Sequence, residues 1–314
     1  MAADARAGDA DAGITLVICT HNPKERNFVR CLEALRGQTL DRAAWELLVV
    51  DNRSDAEIAR TLDLSWHPHA RIVREEKLGL TPARLRGIQE AAGALLVFVD
   101  DDNVLDADYL EVAARVASER AYLGAWSGQC RPGFEAQPPD WTRRYWGNLV
   151  IREFEADAWS NQPRLPATMP CGAGLCVRRE VARAYLQLNL EGKRRIQLDR
   201  TGGSLLSGGD NDLAGCACRL GLGVGLISGL RLTHLIPPDR LTADYLERLA
   251  EGIHLSSAVL DDEYGLPVRP RSLLRRIADA ARALRMREPH RSIFRAALRG
   301  HDRGAALVAS KGRA

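Results

Sequence analysis

The chain has 314 residues, of which 46% are hydrophobic and 27% are charged, and its formal net charge is +3. This length and apolar content can bury a substantial core and exclude a disordered protein. No apolar run approaches the roughly 18 residues of a membrane-spanning helix, and residues 1–13, predicted to be flexible, lack a signal-peptide pattern, so a cytoplasmic protein is expected. The seven scattered cysteines predict buried thiols rather than disulfides.

Apolar runs alternate with segments of helical spacing through residues 14–125. The runs predict four strands, at residues 14–20, 45–50, 70–73 and 94–99. Strands that alternate with helices form a parallel sheet with right-handed crossovers, so the loops after the strands gather along one edge. This half of the chain is therefore predicted to be a Rossmann-like wound, mostly parallel α/β sheet that binds a nucleotide at that edge.

Three consecutive aspartates, Asp100, Asp101 and Asp102, end the fourth predicted strand. Because side chains alternate along a strand, Asp100 and Asp102 are predicted to face one side and Asp101 the other. Two adjacent carboxylates repel each other unless a cation or hydrogen-bond donors compensate them. Mn²⁺ or Mg²⁺ is the predicted cofactor, because such ions take one or two carboxylates together with water and phosphate oxygens. A solvated acidic turn that caps a helix at residues 106–120 is the alternative.

Residues 126–262 carry less regular patterns. The segment from Trp126 to Met169 is rich in tryptophan and proline, which fits either stacking on sugar faces or a small local core. Residues 170–179 predict a strand at which glycines permit a close backbone approach. Asp210 opens a predicted helix, and capping that helix would be a purely structural role for its carboxylate. A further helix is predicted over residues 242–260.

The order of these motifs resembles the inverting, non-processive glycosyltransferases of family 2, of bacterial type, which have the GT-A fold. The resemblance rests on motifs that follow successive predicted strands: Thr20-His21-Asn22, Val50-Asp51-Asn52-Arg53-Ser54-Asp55, Gly79 with Ala83-Arg84-Leu85-Arg86-Gly87-Ile88, Asp100-Asp101-Asp102 and Gly208-Gly209-Asp210. It implies one GT-A domain with a nucleotide-sugar-binding half at residues 14–125 and an acceptor-binding, catalytic half at 126–262.

The resemblance also assigns roles to individual residues. Donor binding would involve the base pocket, the ribose and the diphosphate, and the residues concerned are Thr20, Asn22, Asp51, Arg84, Asp100 and Asp101. Asp102 would be a metal ligand, and His234 would complete the metal shell or remain a packed residue. Asp210 would be the catalytic base that accepts the proton of the acceptor hydroxyl, with Asp212 as a competing candidate.

The chain departs from the usual family pattern at three positions. Arg53 stands where the family usually has glycine, and Leu85 stands where it usually has asparagine. Gly209 replaces the glutamate of the common Gly-Glu-Asp motif.

Residues 263–314 predict a basic, amphipathic helical tail. From residue 269 to residue 313 there are 13 basic and 3 acidic residues, an excess of +10. Leu273, Leu274, Ile277 and Leu284 recur at helical spacing among arginines. Such a helix can lie on an anionic membrane surface or pack on the catalytic domain or on a second subunit. The tail lacks a nucleic-acid recognition motif, so no nucleic-acid partner is expected.

The predicted activity is metal-dependent transfer of a sugar, with inversion, from a nucleoside diphosphate sugar to a hydroxyl of a glycan or lipid-linked acceptor. UDP- or dTDP-sugars are favoured as donors. Two alternatives stay open at this point: a sugar nucleotidyltransferase, and a catalytically inactive protein that binds nucleotide sugars or acts as a scaffold. The protein could be cytoplasmic with peripheral attachment to the inner membrane face, and it could form a homo-oligomer.

Overall fold

The computed structural model describes residues 13–192, 198–200 and 205–311. The predicted flexible segment at 1–13 lies outside these residues except for Gly13. The strands are β1 (Ile14–Thr20), β2 (Trp45–Asp51), β3 (Ala70–Arg74), β4 (Leu95–Asp100), β5 (Asn103–Leu105), β6 (Leu123–Phe134), β7 (Ala158–Ser160), β8 (Leu175–Arg178) and β9 (Gly223–Ile236). The helices are α1 (Glu25–Arg36), α2 (Leu80–Glu90), α3 (Tyr109–Glu119), α4 (Arg179–Leu190), α5 (Gly209–Arg219), α6 (Ala243–Glu263), α7 (Leu273–Leu284) and α8 (His290–Lys311).

All described strands belong to one sheet in the order β3-β2-β1-β4-β8-β6-β9-β5, and β7 also pairs with β9. The first four strands in this order are parallel, as the alternation of strands and helices predicted. The strands β8, β5 and β7 pair antiparallel to their neighbours, whereas β6 and β9 run parallel. The predicted α/β class is confirmed, and the second half of the chain adds a mixed extension to the parallel core.

Helices cover both faces of the sheet because strand side chains alternate between two apolar clusters. Leu16 of β1 packs with α1 and α3 on one face, whereas Val17 packs with α2, α4 and α5 on the other. Both side chains are fully buried. All seven cysteines are free, as predicted.

Strand register brings the polar strand ends together. Thr20 at the end of β1 lies opposite Asp51 of β2, and Cys19 lies opposite Asp100 of β4. The short strand β5 pairs antiparallel with β9, so that Asn103 lies opposite His234. Residues from distant parts of the sequence therefore meet at one edge of the sheet.

The predicted orientation of Asp101 is wrong. Strand β4 ends at Asp100, and Asp101 and Asp102 form a turn into β5 rather than a continuation of the strand. The alternation of side chains ends with the strand, so Asp101 faces the same cavity as its two neighbours. The helix predicted from residue 106 begins at Tyr109 because β5 occupies residues 103–105.

The buried side chain of His67 makes the stability of the fold depend on pH. The ring is buried beside Trp45, with 4.1 Å between ring centroids. Burial, followed by the charges of His69 and Arg42, lowers the pKa of His67 to about 4. An unfolded imidazole titrates near 6.5, so between about pH 6.5 and 4 the unfolded chain binds more protons and stability falls as the pH falls.

We expect His67→Phe to flatten the pH dependence of the free energy of unfolding between pH 6.5 and pH 4. Urea denaturation at pH 7 and at pH 5 checks this. The free energies of unfolding at the two pH values are subtracted, so a loss of packing energy that is the same at both cancels. An unchanged pH dependence in the variant would show that His67 is not the responsible group.

The tail begins after α6 and folds back on it through α8. Ile293 and Ala297 of α8 pack in a cluster with Leu246 and Leu249 of α6. The helices approach closely because Gly300 lacks a side chain: a Cβ there would lie 2.2 Å from the carbonyl oxygen of Glu251. In contrast, α7 leaves an apolar face in solvent. Among the described helices, none is long and apolar enough to cross a membrane.

Candidate active site

A cavity of about 300 Å³ lies at the carboxyl ends of β1, β2 and β4. Open α/β sheets commonly bind ligands at this position, and the volume is at the lower end of ligand-pocket sizes. The cavity brings together seven of the nine residues proposed from the sequence, namely Thr20, Arg84, Asp100, Asp101, Asp102, Asp210 and His234. Asp102 and Asp210 therefore face one cavity, as a shared active site requires.

Asp102 and His234 lie side by side. Oδ2 of Asp102 is 3.5 Å from Nε2 of His234, and both residues are buried. The register of β5 and β9 fixes this pair, as does the hydrogen bond that the backbone N–H of Leu235 donates to the carbonyl of Asp102. Arg240 completes the cluster, because its Nη1 lies 3.0 Å from Oδ2 of Asp102 and 3.1 Å from Nε2 of His234.

These contacts define the ionisation of Asp102. Burial alone would raise its pKa, but His234 and Arg240 outweigh burial and hold the pKa of Asp102 well below its usual range. Nδ1 of His234 lies 3.0 Å from the carbonyl oxygen of Leu149 and can donate to it. In that tautomer the neutral ring accepts from Arg240 at Nε2, whereas the doubly protonated ring directs an N–H from Nε2 toward Asp102, and it is this form that lowers the pKa of Asp102.

The donor set of this cluster fits a divalent cation. A carboxylate oxygen and an imidazole nitrogen face one another, and the second ring nitrogen is held by a carbonyl, which is the usual support of a metal-binding histidine. In the described parts of the chain, no group of three or more histidine, cysteine or acidic side chains is arranged to hold a metal ion. The guanidinium of Arg240 is the cation that contacts both side chains in this structure.

Asp100 and Asp101 add further negative charge to the cavity. Burial and then Asp102 raise the pKa of both carboxyl groups, that of Asp101 to about 6. Thr20 donates a short hydrogen bond from its hydroxyl to Asp101. A positive ligand in the cavity would favour the charged forms of these carboxyl groups, because opposite charges lower the pKa of an acid.

Arg84 of α2 is a buried cation that also lines the cavity. Its Nη1 lies 3.1 Å from Oδ2 of Asp199, and both side chains are only 5% exposed. Burial alone would lower the pKa of Arg84, but Asp199, followed by Asp210 and Asp100, raises it above its ordinary value. Arg84 is therefore a permanent positive charge on the cavity wall.

Backbone N–H groups hold the carboxylate of Asp210. Gly172 donates to Oδ2 at 2.6 Å, and Asn211 donates to Oδ1 at 2.9 Å. A Cβ at position 172 would lie 2.9 Å from Nη2 of Arg84 and 3.2 Å from Oδ2 of Asp210, so glycine allows this close approach. Asp212, the competing candidate base, is buried and lies near the hydroxyl of Tyr264.

Asn22 and Asp51 are not among the described residues that line the cavity. Asn22 is exposed, and its amide donates to Asp55 at 3.0 Å. Asp51 is buried, accepts from the backbone N–H of Ser54 at 2.9 Å and pairs with Arg74 at 2.8 Å. Contact between Asp51 and a nucleobase would require Arg74 to move, so the donor-binding roles of both residues stay predictions.

Three further residues that line the cavity were not assigned a role from the sequence. Arg240 and Asp199 form the ion pairs described above, and Asn52 positions the turn before α2 by accepting from the N–H of Gly79 at 2.8 Å. Arg240 stands six residues after the candidate metal ligand His234, and this proximity in the sequence was the available signal for it. Asp199 lies in a segment without periodicity, and only the folded chain brings it to Arg84.

Arg53 adopts the left-handed conformation, with φ of 55°, where the family usually has glycine. Glycine occupies this region without steric cost, whereas other residues adopt it only when their surroundings enforce it. Arg53 thus holds a conformation that glycine would adopt more readily.

The chain matches a family model and several known proteins over part of its length. The model of the family described as glycosyl transferase family 2 matches residues 15–186, more than half of the chain. The glycosyltransferase AglE of Haloferax volcanii is 35% identical over 92 residues, which are 28% of this chain and 30% of that protein. The putative glycosyltransferase EpsH of Bacillus subtilis is 31% identical over 114 residues, which are 35% and 32% of the two chains. The matched region thus spans about a third of these relatives.

Two solved structures resemble the fold over most of the chain. Residues 1–349 of TarS from S. aureus superpose with a TM-score of 0.52 at 15% identity, covering 96% of this chain and 92% of that one. GalNAc-T7, solved with UDP, GalNAc and Mn²⁺, gives a TM-score of 0.53 at 17% identity and covers 81% of this chain and 50% of that one. These likenesses confirm the predicted GT-A fold.

Proposed function

The chain belongs to glycosyltransferase family 2, and on that premise we propose that it is an enzyme that transfers a sugar, with inversion, from a nucleoside diphosphate sugar to an acceptor hydroxyl. One observation carries this proposal: Arg84 of α2, Asp102 of the turn after β4, Asp210 of α5 and His234 of β9 line one cavity. A phosphate-binding cation, a candidate metal pair and a candidate base are thereby combined at the ligand-binding edge of the sheet.

The proposed mechanism divides the reaction between a base and a phosphate-binding cation, both of which line the cavity. As the acceptor oxygen attacks the anomeric carbon, its proton passes to a carboxylate oxygen of Asp210, and the bond from that carbon to the diphosphate oxygen breaks. Arg84 binds the diphosphate and stabilises the charge that develops on it. A bound Mn²⁺ or Mg²⁺, held by Asp102 and His234, would neutralise further charge on the leaving group.

The finer assignments of donor and cofactor are supported by the residues of the site and by the ligands with which two structural neighbours have been solved. TarS has been solved with UDP, and GalNAc-T7 with UDP, GalNAc and Mn²⁺. We extend both to this chain as proposals: a UDP- or dTDP-sugar is the donor, and Mn²⁺ or Mg²⁺ is the cofactor. The acceptor is a hydroxyl of a glycan or of a lipid-linked saccharide.

A thermal-shift screen tests the proposal. UDP- and dTDP-sugars, each with and without Mn²⁺, should raise the melting temperature, and the donors that bind should be consumed when a mixture of glycan acceptors is added. Binding without turnover of any acceptor would favour the inactive nucleotide-sugar-binding protein. Formation of a nucleotide sugar from a sugar phosphate and a nucleoside triphosphate would favour the nucleotidyltransferase. Absence of binding to every nucleotide sugar would contradict the proposed function.

We also propose that α7 attaches the enzyme to an anionic membrane surface, where a lipid-linked acceptor would be located. Its leucine and isoleucine side chains are 59–80% exposed and lie within about 100° of one another on the helix, namely Leu273, Leu274, Ile277 and Leu284. Arg276 borders this face on one side and Arg285 on the other. The exposed apolar stripe with flanking arginines matches the charge and polarity of an anionic bilayer interface.

We expect the double variant Leu274→Glu/Ile277→Glu to lose at least about tenfold in partitioning onto vesicles that contain phosphatidylglycerol, because each change removes an apolar side chain and adds negative charge. Co-sedimentation with vesicles measures this. Leu220→Glu, at an exposed leucine outside the tail, is the matched control and should bind like the wild type. Equal vesicle binding by the double variant would contradict the membrane role, and a dimer that dissociates on these changes would assign the stripe to a second copy of the chain.

A further inference from the structure

Gly209, the residue immediately before the candidate base, is in contact with the carboxylate of Asp199. A Cβ at position 209 would lie 2.1 Å from Oδ2 and 2.3 Å from Cγ of Asp199. No real Cβ atom tolerates such distances, so any other residue at 209 would displace Asp199. The glycine is therefore needed for space, and the occupant of that space is a carboxylate.

The Asp199 carboxylate has a defined set of partners on α2. Nη1 of Arg84 lies 3.2 Å from Oδ1 and 3.1 Å from Oδ2, and the hydroxyl of Thr81 donates to Oδ2 at 2.9 Å. The backbone also connects the two segments, because the N–H of Leu80 donates to the carbonyl of Arg200 at 3.2 Å. Both side chains are only 5% exposed, so the ion pair is shielded from solvent and removal of either partner would leave a buried charge without its counterion.

Position 209 is where the family pattern has glutamate, and this chain has no side chain there. We propose that Asp199 is a positioning residue for the donor site: it supplies, from the preceding loop, the carboxylate that the α5 helix would otherwise supply from position 209, and it holds Arg84 against the donor diphosphate. This inference rests on the proposed function and extends it. Gly209 and Asp199 form one unit, in which the glycine makes room for the aspartate.

The position of Arg84 relative to the donor depends on Asp199. Arg84 lies between Asp199, which it contacts directly, and the cavity wall at Gly172, where its Nη2 is close to the backbone. Without Asp199 the guanidinium would be drawn toward Asp210 and Asp100, the other carboxylates that act on it. The positive charge would then leave the diphosphate and contact the base instead.

A carboxylate swap tests this inference. Asp199→Ala should raise the KM for the donor at least about tenfold, because Arg84 loses its orienting partner. Gly209→Glu in the wild-type background should do the same, because two carboxylates compete for one space. The double variant Asp199→Ala/Gly209→Glu should recover a KM within about threefold of the wild type, because the glutamate enters the vacated space. Asp108→Ala, which removes an exposed carboxylate that does not line the cavity, is the control and should change KM less than threefold.

The readouts are the donor KM and kcat of each variant, together with calorimetric binding of UDP and of dTDP in the presence of Mn²⁺. Recovery of KM and nucleotide affinity in the double variant supports the inference. A KM unchanged by Asp199→Ala, or no recovery in the double variant, overturns it. If the single variants do not fold, a double variant that folds and binds nucleotide supports the inference, and one that does not fold overturns it. A wild-type protein that binds and turns over no nucleotide sugar would instead contradict the proposed function.

Discussion

The Asp210→Asn enzyme is expected to transfer sugar about 10² to 10⁴ times more slowly than the wild type while it binds donor with unchanged affinity. The amide has nearly the same shape as the carboxylate and can keep one of its two hydrogen bonds from the backbone, but it cannot accept the proton of the acceptor hydroxyl, and loss of a general base costs this much. Initial-rate measurements with the native donor and acceptor give kcat, and calorimetry gives the donor affinity.

Asp212 provides the control for this experiment. Asp212 lies two residues further along α5 but is buried near Tyr264 rather than in the cavity wall. Asp212→Asn should therefore retain kcat per folded enzyme. A wild-type kcat in Asp210→Asn, or a greater loss of kcat in Asp212→Asn, would refute the assignment of the base.

Asp102→Ala is expected to weaken donor binding in Mn²⁺ by about 100-fold or more and to remove the difference between binding with and without the ion. Even groups that only support a metal ligand contribute tenfold to 100-fold to metal affinity, so a direct ligand should contribute at least as much. The variant also frees Arg240 from its closest carboxylate, so the total charge of the cavity becomes more positive. We therefore also expect the variant to bind nucleotide without metal more tightly than the wild type does.

Calorimetric titration of UDP and dTDP, each with Mn²⁺ and with EDTA, measures both effects. Asp108→Ala is the matched control, because Asp108 is an exposed carboxylate before α3 that does not line the cavity. Its donor affinity should respond to Mn²⁺ as that of the wild type does. Mn²⁺-dependent donor binding that survives in Asp102→Ala would place the cation elsewhere.

The sequence predicted the parts of the site that local patterns specify. Buried apolar runs defined the strands, and parallel strands must end at one edge, so Thr20 and the aspartates after β4 were correctly expected to lie near one another. Position in the resembling motifs added Arg84 and Asp210, both of which line the cavity. The alternation rule failed at Asp101, because β4 ends at Asp100 and a turn follows in place of further strand.

The remaining parts depend on long-range contacts that no local pattern encodes. The strand β5 has only three residues, too few for a periodic signal, yet its pairing with β9 brings His234 to Asp102. The ion pair of Asp199 and Arg84 joins a loop without periodicity to a helix more than 100 residues earlier. The loss of glutamate at Gly209 was visible in the sequence, but its counterpart at Asp199 became visible only in the folded chain.

The tail shows the same division between local and long-range information. The apolar stripe and the arginines of α7 follow from helical spacing, as do the apolar positions of α8. Which stripe is covered depends on tertiary packing: α8 packs on α6 through Ile293, whereas Leu274 remains 80% exposed. The two interpretations that the sequence left open thus apply to different helices of the tail, with packing on the domain found for α8 and membrane contact proposed for α7.

We propose that one cavity binds a cation and a nucleoside diphosphate between Asp102 and Asp210. A crystal structure with UDP and Mn²⁺, with anomalous data collected at the manganese edge, tests this proposal. We expect a manganese peak within coordination distance of Asp102 and His234, the diphosphate between that peak and Arg84, and Asp210 facing the open side of the cavity. Nucleotide and manganese bound away from these residues, or a manganese peak with no contact to Asp102, would contradict it.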